Sequence, residues 1–456
     1  MRCVCLASIF FGISLCAQTP PPVSLKVSPV EVLAARLQRT LKSTGPEYVV
    51  FVPQLAADQM SDTGNEHFLV CDGPDGSLMA VWTQSTHEGQ PDQHIVFAQS
   101  GDQGITWSKP RLIAGPAKAG QGHIASWAFP LVSNRGRIYV LYSQHVGKFD
   151  TFFHTSGLLA GVYSDDCGKT WSAPQIIPMP RTSRCHPDDA YPANWIVWQK
   201  PLRLAKHRRY LVGFTRWTSG AVKKNPTPSW TSHDSVVEFM RFENLDAHPQ
   251  VADLKIAWLA HDTNALTVPF PGHPEVSACQ EPAIVKLPDS RLFAVMRTAT
   301  GSPYWTQSRD AGETWSTPKP LLRRDGGVPL KHPLSPCPLF DMGGGSAASG
   351  HYALFIHNHD GNYQGFKPTD TSFHRRPIYV VAGRFQRKAE QPVWFGEPQF
   401  FMDHDGLPLG PPGQRGRIDL ALYSSVTVRG GKTTLWYPDR KFFLLGKEIR
   451  LKNGWR

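Results

Sequence analysis

Short apolar runs of strand length dominate the hydrophobic pattern of the chain. Runs of this kind occupy, for example, residues 78–83, 138–144 and 158–163, and clusters of Gly, Asp, Asn or Pro separate them. Short apolar runs that are bounded by turn-forming residues are typical of β-strands. The pattern therefore predicts an all-β protein with many short strands, preceded by one short helix at residues 31–41.

An eight-residue motif recurs three times, at residues 100–107, 164–171 and 308–315. Each copy reads Ser-x-Asp-x-Gly-x-Thr-Trp and follows a strand-like run. The Asp side chain can accept N–H bonds within a turn, Gly adopts a backbone angle that other residues resist, and Thr and Trp favour the start of a strand. We therefore predict three equivalent β-hairpin tips in a protein built from repeated units.

The spacing of this motif indicates the number of units. The first two copies begin 64 residues apart, at 100 and 164, whereas the third begins 144 residues later, at 308. At least one unit without the motif must lie in that interval. Together with the remaining strand runs, this predicts a six-bladed β-propeller, and a seventh blade between residues 184 and 268 is the alternative. The early strand at residues 48–52 is expected to close the ring against the last blade.

Composition narrows the range of partners. The 456-residue chain has a formal net charge of +11, but its Lys and Arg residues form no long run. Nucleic acid is therefore a disfavoured partner, and attraction of an acidic glycan explains the charge as well. No run beyond the N-terminal segment is long and apolar enough to span a membrane. The cysteine spacing matches no metal motif, and we expect neither a metal nor a cofactor.

The N-terminal segment predicts export. Arg2 precedes an apolar run at residues 3–15, and Leu15-Cys16-Ala17 offers a small-residue cleavage site, as in a secretory signal peptide. A secreted or periplasmic protein follows, and lipidation at Cys16 is the less favoured alternative because Leu15 is not small. We divide the chain into a signal peptide (1–17), a linker with the short helix (18–47) and a single propeller domain (48–456).

The repeated octet is the Asp-box, and the chain resembles the sialidase superfamily of propellers from about residue 65 to residue 445. Glu281-Pro282 begins a segment that ends at Met296-Arg297 and resembles the family's Glu-to-Arg segment. Tyr423-Ser424-Ser425 is similar to the segment that carries the family's nucleophile. The resemblance implies that Tyr423 is the nucleophile, that Glu281 is its partner and that Arg297 binds a substrate carboxylate.

Two more assignments rest on the same resemblance. Arg376-Pro377-Ile378-Tyr379-Val380 looks like the segment with the family's last arginine, which places Arg376 beside Arg297 at the substrate carboxylate. Asp92, in Pro91-Asp92-Gln93-His94, lies where the family's acid/base Asp would be. The resemblance therefore implies that Asp92 protonates the leaving group.

The first blade departs from the family. Counted back from Asp75-Gly76, the arginine of the family's Arg-Ile-Pro motif falls on Glu66, which His67 follows. A Glu beside a substrate carboxylate is repulsive unless something neutralises it. The departure argues against sialic acid itself but not against another acidic sugar, and Glu66 and His67 are candidate substrate contacts.

The residue types support this chemistry on their own. Arg meets a carboxylate with two parallel hydrogen bonds. A Tyr paired with a Glu suits an anionic substrate, because a neutral nucleophile avoids repulsion between carboxylates. We therefore expect an exo-acting glycoside hydrolase that removes a terminal acidic sugar, sialic acid or a related one, from an oligosaccharide or polysaccharide.

Two alternatives remain from the sequence. His67 and His87 flank the first hairpin, and some propeller polysaccharide lyases pair a His with a Tyr next to a neutralised uronate. In that case His87 or Tyr423 would remove the proton at C5, and cleavage would leave a double bond. The missing arginine also keeps open a non-catalytic propeller that only binds glycan.

Overall fold

The computed structural model describes residues 29–55, 60–118, 120–204, 209–343, 350–371, 375–411 and 416–451. The predicted signal peptide, Cys16 and the first part of the predicted linker lie outside these residues. Helix α1 spans Pro29–Thr44, and the rest of the described chain forms six blades of a propeller and one small hairpin. The predicted all-β, six-bladed architecture is thereby confirmed.

The strands follow one another blade by blade. The chain enters through β1 (Tyr48–Phe51). Blade 1 contains β2 (Gly64–Asp72), β3 (Leu78–Ser85), β4 (His94–Ser100) and β5 (Arg111–Ala114). Blade 2 contains β6 (Ala125–Val132), β7 (Ile138–Gln144), β8 (Leu158–Ser164) and β9 (Gln175–Ile177). Blade 3 contains β10 (Asn194–Ile196), β11 (Leu202–Leu204), β12 (Arg209–Trp217), β13 (Ser235–Phe242) and β14 (Ile256–Leu259).

A hairpin of β15 (Pro269–Phe270) and β16 (His273–Ser277) precedes the second half of the ring. Blade 4 contains β17 (Cys279–Lys286), β18 (Leu292–Thr298), β19 (Tyr304–Ser308) and β20 (Lys319–Pro320). Blade 5 contains β21 (Leu339–Asp341), β22 (His351–His357), β23 (Ile378–Phe385), β24 (Val393–Phe395) and β25 (Gln399–Met402). Blade 6 contains β26 (Ser425–Arg429), β27 (Lys432–Asp439) and β28 (Phe443–Glu448). Short 3₁₀ helices lie at Phe153–Thr155, Trp230–Ser232, Leu245–Ala247, Val251–Asp253 and Asp262–Asn264.

Blade 6 combines both ends of the propeller. β1 pairs antiparallel with β28 and completes the sheet order β26-β27-β28-β1, with Tyr48 opposite Gly446. The early strand thus closes the ring, as its position in the sequence predicts. Within the described part of residues 184–268 there is a single five-stranded sheet, so the alternative of a seventh blade was wrong.

Burial falls from the inside of each blade to the outside. In blade 1, every residue of β3 and all but the last of β2 are buried, whereas β5 is largely exposed. Inner strands lie between neighbouring blades and are covered on both faces, which explains why they read as continuous apolar runs. The outermost strands, such as β5 and β20, are more exposed to solvent.

The three Asp-boxes form identical hairpin tips after β4, β8 and β19. In the first, Asp102 Oδ1 accepts hydrogen bonds from Ser100 Oγ (2.8 Å) and from the Thr106 N–H (2.9 Å). Asp166 and Asp310 accept equivalent bonds in the other two boxes. The Ser, Asp and Thr side chains of the motif thus form the same hydrogen bonds in all three turns, which explains why these residues recur.

Each box also packs on the preceding blade. A Cβ at Gly104 would come within 2.4 Å of the Trp436 ring in blade 6, and one at Gly168 within 2.5 Å of the Phe97 ring in blade 1. The Trp315 ring in turn stacks on Phe239 of blade 3 at 4.1 Å. The glycines are therefore required for close contact as well as for their positive φ.

Helix α1 is docked on the propeller. Leu33 and Leu37 pack against the apolar cluster shared by blades 5 and 6, and Thr40 Oγ1 accepts a hydrogen bond from Arg440 Nη2 at 2.7 Å. The helix is longer than the predicted 31–41, since it begins at Pro29, a residue that the first helical turn tolerates. No helix among the described residues has the length and apolar character needed to cross a bilayer.

Candidate active site

Four residues near the axis share an unusual backbone conformation. His67, Trp127, Glu281 and Tyr423 have φ angles of 52°, 57°, 53° and 59°. The first three lie at register shifts in the innermost strands of blades 1, 2 and 4, and Tyr423 precedes the innermost strand of blade 6. Bulges redirect side chains and are common beside active sites, where backbone strain of this kind concentrates. Here they bring side chains from four blades together.

A central cavity of about 390 Å³ lies where these side chains meet. Tryptophan and phenylalanine side chains form much of its wall: Trp127, Phe152, Trp217 and Trp230. Six charged residues also line it: Glu88, Glu281, Arg297, Arg375, Arg417 and Lys441. Apolar walls with a few convergent polar groups are the usual features of a small-molecule site.

Tyr423 and Glu281 form the pair expected from the sequence. The Tyr423 hydroxyl donates to Glu281 Oε1 at 3.2 Å, and both side chains are buried. Burial raises the pKa of Glu281 above its usual value, although Arg297 opposes this. Burial, followed by the charge of Glu281, raises the pKa of Tyr423 well above 10. The phenol is therefore neutral, and the carboxylate beside it has an increased affinity for a proton.

Two arginines face this pair. Arg297 donates through Nε and Nη2 to Gln280 Oε1, at 2.9 and 2.6 Å. Its Nη1 lies 2.9 Å from Glu281 Oε2 but is not aligned for a hydrogen bond. Arg375 donates to the Leu334 carbonyl at 2.7 Å, its Nε has no partner, and no described carboxylate forms an ion pair with it. Burial lowers the pKa of Arg375, and the like charge of Arg297 lowers it further.

Arg376 does not occupy the position that the sequence suggested. Its Nε and Nη2 donate to the two oxygens of Asp403, both at 2.7 Å, and its guanidinium lies 4.3 Å from the centre of the Tyr363 ring. It does not line the central cavity, whereas Arg375 does. Consecutive side chains entering a strand point to opposite sides, so the expectation for Arg376 is corrected to Arg375.

Lys441 carries positive charge to the first-blade side of the cavity. Its Nζ lies 3.2 Å from Glu66 Oε2 and 2.5 Å from Glu88 Oε2, and Arg417 Nη2 donates to the same Glu88 oxygen at 2.8 Å. Burial and the charge of Glu88 raise the pKa of Glu66 to about 8. Burial opposes ionisation of Glu88 as well, but Lys441 and Arg417 hold its pKa well below the usual value. Glu66, which stands where the sequence resemblance would place an arginine, therefore has a positive charge, that of Lys441, beside it.

His67 lies behind the cavity wall. Its ring stacks on Trp127 with centroids 3.4 Å apart, and Nδ1 is 2.9 Å from Thr83 Oγ1. Burial lowers the pKa of His67 to about 3, so the ring is neutral at ordinary pH. His67 and Glu66 therefore support the wall and do not line the cavity themselves.

Asp92 and His87 also lie outside the central cavity. Asp92 Oδ2 accepts hydrogen bonds from the N–H (2.8 Å) and the hydroxyl (2.7 Å) of Thr86, so it stabilises the loop between β3 and β4. His87 lines a neighbouring groove of about 710 Å³, where its Nε2 is 3.1 Å from Gln90 Nε2. Neither Asp92, the proposed proton donor, nor His87, the proposed base of the lyase alternative, therefore lines the cavity that contains Tyr423 and Glu281, whereas Glu88 of the same loop does.

One cluster has the residue types of a metal site. Ligand atoms of Glu66, His67 and Glu88 lie within 4.8 Å of one another. The ammonium group of Lys441 contacts both carboxylates, however, and supplies the positive charge that a metal ion would bring. These residues therefore do not fit a metal, and the expectation of a metal-free site remains a prediction.

Four charged residues of the cavity were not predicted from the sequence: Glu88, Arg375, Arg417 and Lys441. Arg375 precedes Arg376 in the sequence, and Glu88 follows His87. Within each pair, only the direction of the side chain decides which residue lines the cavity. Lys441 lies in the tight turn between β27 and β28, where its φ of 52° is unusual. No sequence signal marks that turn as part of the site, because only ring closure brings blade 6 beside blade 1.

Comparisons with known proteins agree with this architecture. A family model described as a BNR repeat-like domain matches residues 76–425. The chain is similar to the intramolecular trans-sialidase from Ruminococcus gnavus, with 14% identity over 91% of this chain and 98% of that one and a TM-score of 0.56. It is similar to NanB sialidase from Streptococcus pneumoniae, with 12% identity over 89% and 71% of the two chains and a TM-score of 0.58.

A protein of unknown function from Dyadobacter fermentans is a further structural match, with 12% identity over 89% of this chain and 98% of that one and a TM-score of 0.54. No curated protein matches the chain. Identities this low establish a sialidase-like propeller fold and leave the reaction to be argued from the cavity.

Proposed function

Because the chain belongs to the BNR repeat-like domain family, we propose that it is a glycoside hydrolase that removes a terminal acidic sugar from a glycan. Tyr423 is the nucleophile, Glu281 accepts its proton, and Arg297 and Arg375 bind the substrate carboxylate. The small volume of the cavity, about 390 Å³ and at the low end of the range for ligand pockets, favours an exo-acting enzyme.

The observation that carries the proposal is the unpaired guanidinium of Arg375. A buried charge without a counterion is costly, and proteins normally pair or neutralise it. Arg375 instead lies beside a second arginine in a cavity, with one carbonyl as its hydrogen-bond partner among the described residues. A carboxylate placed between the two guanidinium groups would satisfy both, through charge-assisted and partly bidentate bonds.

Tyr423 and Glu281 supply the reacting groups. A phenol requires a base at neutral pH, and Glu281 is within hydrogen-bond distance. A neutral Tyr can approach an anionic sugar without the repulsion that a carboxylate nucleophile would meet. Trp127 and Trp217 add apolar surface to the wall of the same cavity.

The lyase alternative loses its main argument, because His87 does not line the cavity that contains Tyr423. The lectin alternative, a non-catalytic propeller that only binds glycan, does not require the Tyr423–Glu281 hydrogen bond and leaves it unexplained. We also propose export, which the apolar run at residues 3–15 after Arg2 supports.

A panel of aryl glycosides tests the proposal. Purified protein is incubated with 4-methylumbelliferyl glycosides of N-acetylneuraminic, glucuronic and galacturonic acids and with the neutral glucoside, and fluorescence is followed. We expect release from at least one acidic glycoside, none from the glucoside, and none from Tyr423→Phe. Acidic polysaccharides are assayed in parallel for an unsaturated uronate, which would indicate elimination. Binding of an acidic sugar without any turnover would instead favour the lectin alternative.

A further inference from the structure

Departure of the leaving group requires a proton donor, and the two carboxylates that line the central cavity are unsuited to this role. Glu281 already takes the proton of Tyr423. Glu88 contacts the cationic groups of both Lys441 and Arg417, at 2.5 and 2.8 Å, which favours its ionised form. Asp92 is bound to Thr86 outside the cavity. The site described above therefore lacks an acid.

His154 lies at a position from which it could act as this acid. It belongs to the 3₁₀ helix Phe153–Thr155 of blade 2 and lines the same cavity as Tyr423. Its carbonyl accepts a hydrogen bond from Ser126 Oγ at 2.8 Å, which fixes the backbone. Its ring lies nearly parallel to Trp127, with centroids 6.3 Å apart and an angle of 22°. The ring lies near Trp127 on one side and near Glu88, in the loop between β3 and β4, on another.

The imidazole is also available for proton transfer. Its side chain is 24% exposed, and its ring makes no hydrogen bond with the described residues. The nearest acid is Glu88, whose Oε1 lies 3.9 Å from Nε2. A carboxylate at this distance can orient the ring and stabilise its protonated form, while the ring N–H stays free to donate to a substrate. Among the described cavity residues, His154 is the uncommitted side chain whose ordinary pKa is near neutrality.

We propose that His154, positioned by Glu88, is the general acid and base of this site, in place of Asp92. The inference rests on the proposed hydrolysis and names the residue that assists the leaving group.

The proton movements balance over two steps. In the first, the Tyr423 oxygen bonds to the anomeric carbon as its proton passes to Glu281. The glycosidic C–O bond breaks, its electron pair goes to the leaving oxygen, and that oxygen takes the proton of the His154 imidazolium. In the second, neutral His154 removes a proton from water, whose oxygen bonds to the anomeric carbon. The bond to Tyr423 breaks, and the phenolate recovers its proton from Glu281.

The charged groups around His154 set the pH at which this can occur. Burial lowers the pKa of His154, Glu88 raises it, and Lys441 and Arg417 lower it again. His67, whose pKa is lowered to about 3, lies 3.9 Å from the same Glu88 oxygen as His154 and is neutral at this pH. The acid form is therefore lost as pH rises through a value below the usual 6.5. Turnover that needs the acid should be highest at mildly acidic pH.

Leaving-group dependence tests the proposal. The 4-nitrophenyl and methyl glycosides of N-acetylneuraminic and glucuronic acids are compared, using kcat/KM for wild type and His154→Gln. Methoxide leaves only with a proton, whereas 4-nitrophenolate leaves without one. We expect His154→Gln to lose about 100-fold or more on the methyl glycoside, the usual scale for a general acid, and less than about 10-fold on the 4-nitrophenyl glycoside. The alkaline limb of the methyl glycoside profile should disappear in the variant.

Two controls make the result decisive. His87→Gln, in the neighbouring groove, should match wild type on both substrates. Turnover of the 4-nitrophenyl glycoside by His154→Gln shows that the variant is folded. Equal losses on both substrates, or no loss on either, would overturn the role of His154 and leave the proposed hydrolysis intact. If wild type cleaves neither glycoside of either sugar, the hydrolase proposal fails, and this inference fails with it.

Discussion

The Asp-box hairpins and the residues at the central cavity use the same backbone conformation for different purposes. In the boxes, Gln103, Cys167 and Ala311 have φ angles of 63°, 59° and 57°, and the Asp of each box accepts the same hydrogen bond from the Thr N–H. At the cavity, Glu281 and Tyr423 have φ angles of 53° and 59°, but their side chains differ. A left-handed residue therefore marks a turn in one region and a side chain that lines the cavity in the other.

The two regions differ most in how their polar atoms are satisfied. The Asp oxygens of the boxes accept hydrogen bonds from Ser and Thr within the motif. At the cavity, Arg375 Nε is buried without a partner, and Glu281 Oε2 and Arg297 Nη1 contact each other at 2.9 Å without an aligned hydrogen bond. Leaving such atoms unpaired costs roughly 1–3 kcal/mol each. Unpaired polar atoms in this part of the molecule are explained if a ligand completes them.

The largest expected effect is the loss of kcat on substitution of Tyr423, a residue of the cavity region. Tyr423→Phe should lower kcat on an acidic aryl glycoside by about 10⁴-fold or more, the scale seen when a nucleophile is removed. The thermal unfolding temperature should stay close to that of wild type, since the ring packing is retained. Turnover and thermal unfolding are measured on the same preparation. Retention of wild-type kcat would show that the inner bulge of blade 6 is structural, like the boxes.

Arg375→Met should produce the next largest effect. Loss of a charge-assisted contact to the carboxylate costs about 1.5–3 kcal/mol, which corresponds to a loss of roughly 10- to 150-fold in kcat/KM. The free energy of unfolding should not decrease, because the variant removes a buried and unpaired charge. Kinetics and urea denaturation together check both statements.

Its neighbour provides a matched control. Arg376→Met breaks the paired contact with Asp403 and leaves that carboxylate half-buried. We expect a lower free energy of unfolding with little change in kcat/KM. If the two variants exchange these effects, then Arg376 is the carboxylate ligand, as the sequence first suggested.

Trp107→Ala tests the box region. The ring contacts Trp436 of blade 6, with centroids 5.7 Å apart, and is partly exposed. Its removal should cost about 2 kcal/mol of folding free energy, somewhat less than for a fully buried Trp. Activity per folded molecule should not change. A change in substrate preference would mean that the boxes communicate with the cavity.

The smallest expected effect concerns pH. The pKa of Glu66 is raised in the folded protein to about 8, from an ordinary value of 4.5. The native state therefore holds a proton that the unfolded state has lost between these values, and stability falls as pH rises across this range. Between pH 5 and pH 8, the free energy of unfolding should therefore fall by about 1 kcal/mol or more less in Glu66→Gln than in wild type. Urea denaturation of both proteins at several pH values measures it, and parallel pH profiles would contradict it.

The sequence by itself determined the architecture. Three copies of the box, strand-length apolar runs and an early strand at residues 48–52 predicted the blades, their hairpin tips and the closure of the ring. These features are local, because each box contains all the atoms that its turn requires. The segments with Glu281, Arg297 and Tyr423 were also identified, since those residues lie on or next to the inner strands that repeat in every blade.

Only the tertiary structure decided the remaining cavity residues. Arg375 rather than Arg376, and Glu88 rather than His87 or Asp92, depend on which way consecutive side chains point, which composition and spacing do not record. Lys441 approaches Glu66 across 375 residues of chain, because ring closure brings blade 6 beside blade 1. A cavity at the axis is assembled from loops of separate blades, and their relative positions are fixed by packing between blades and not by any local pattern.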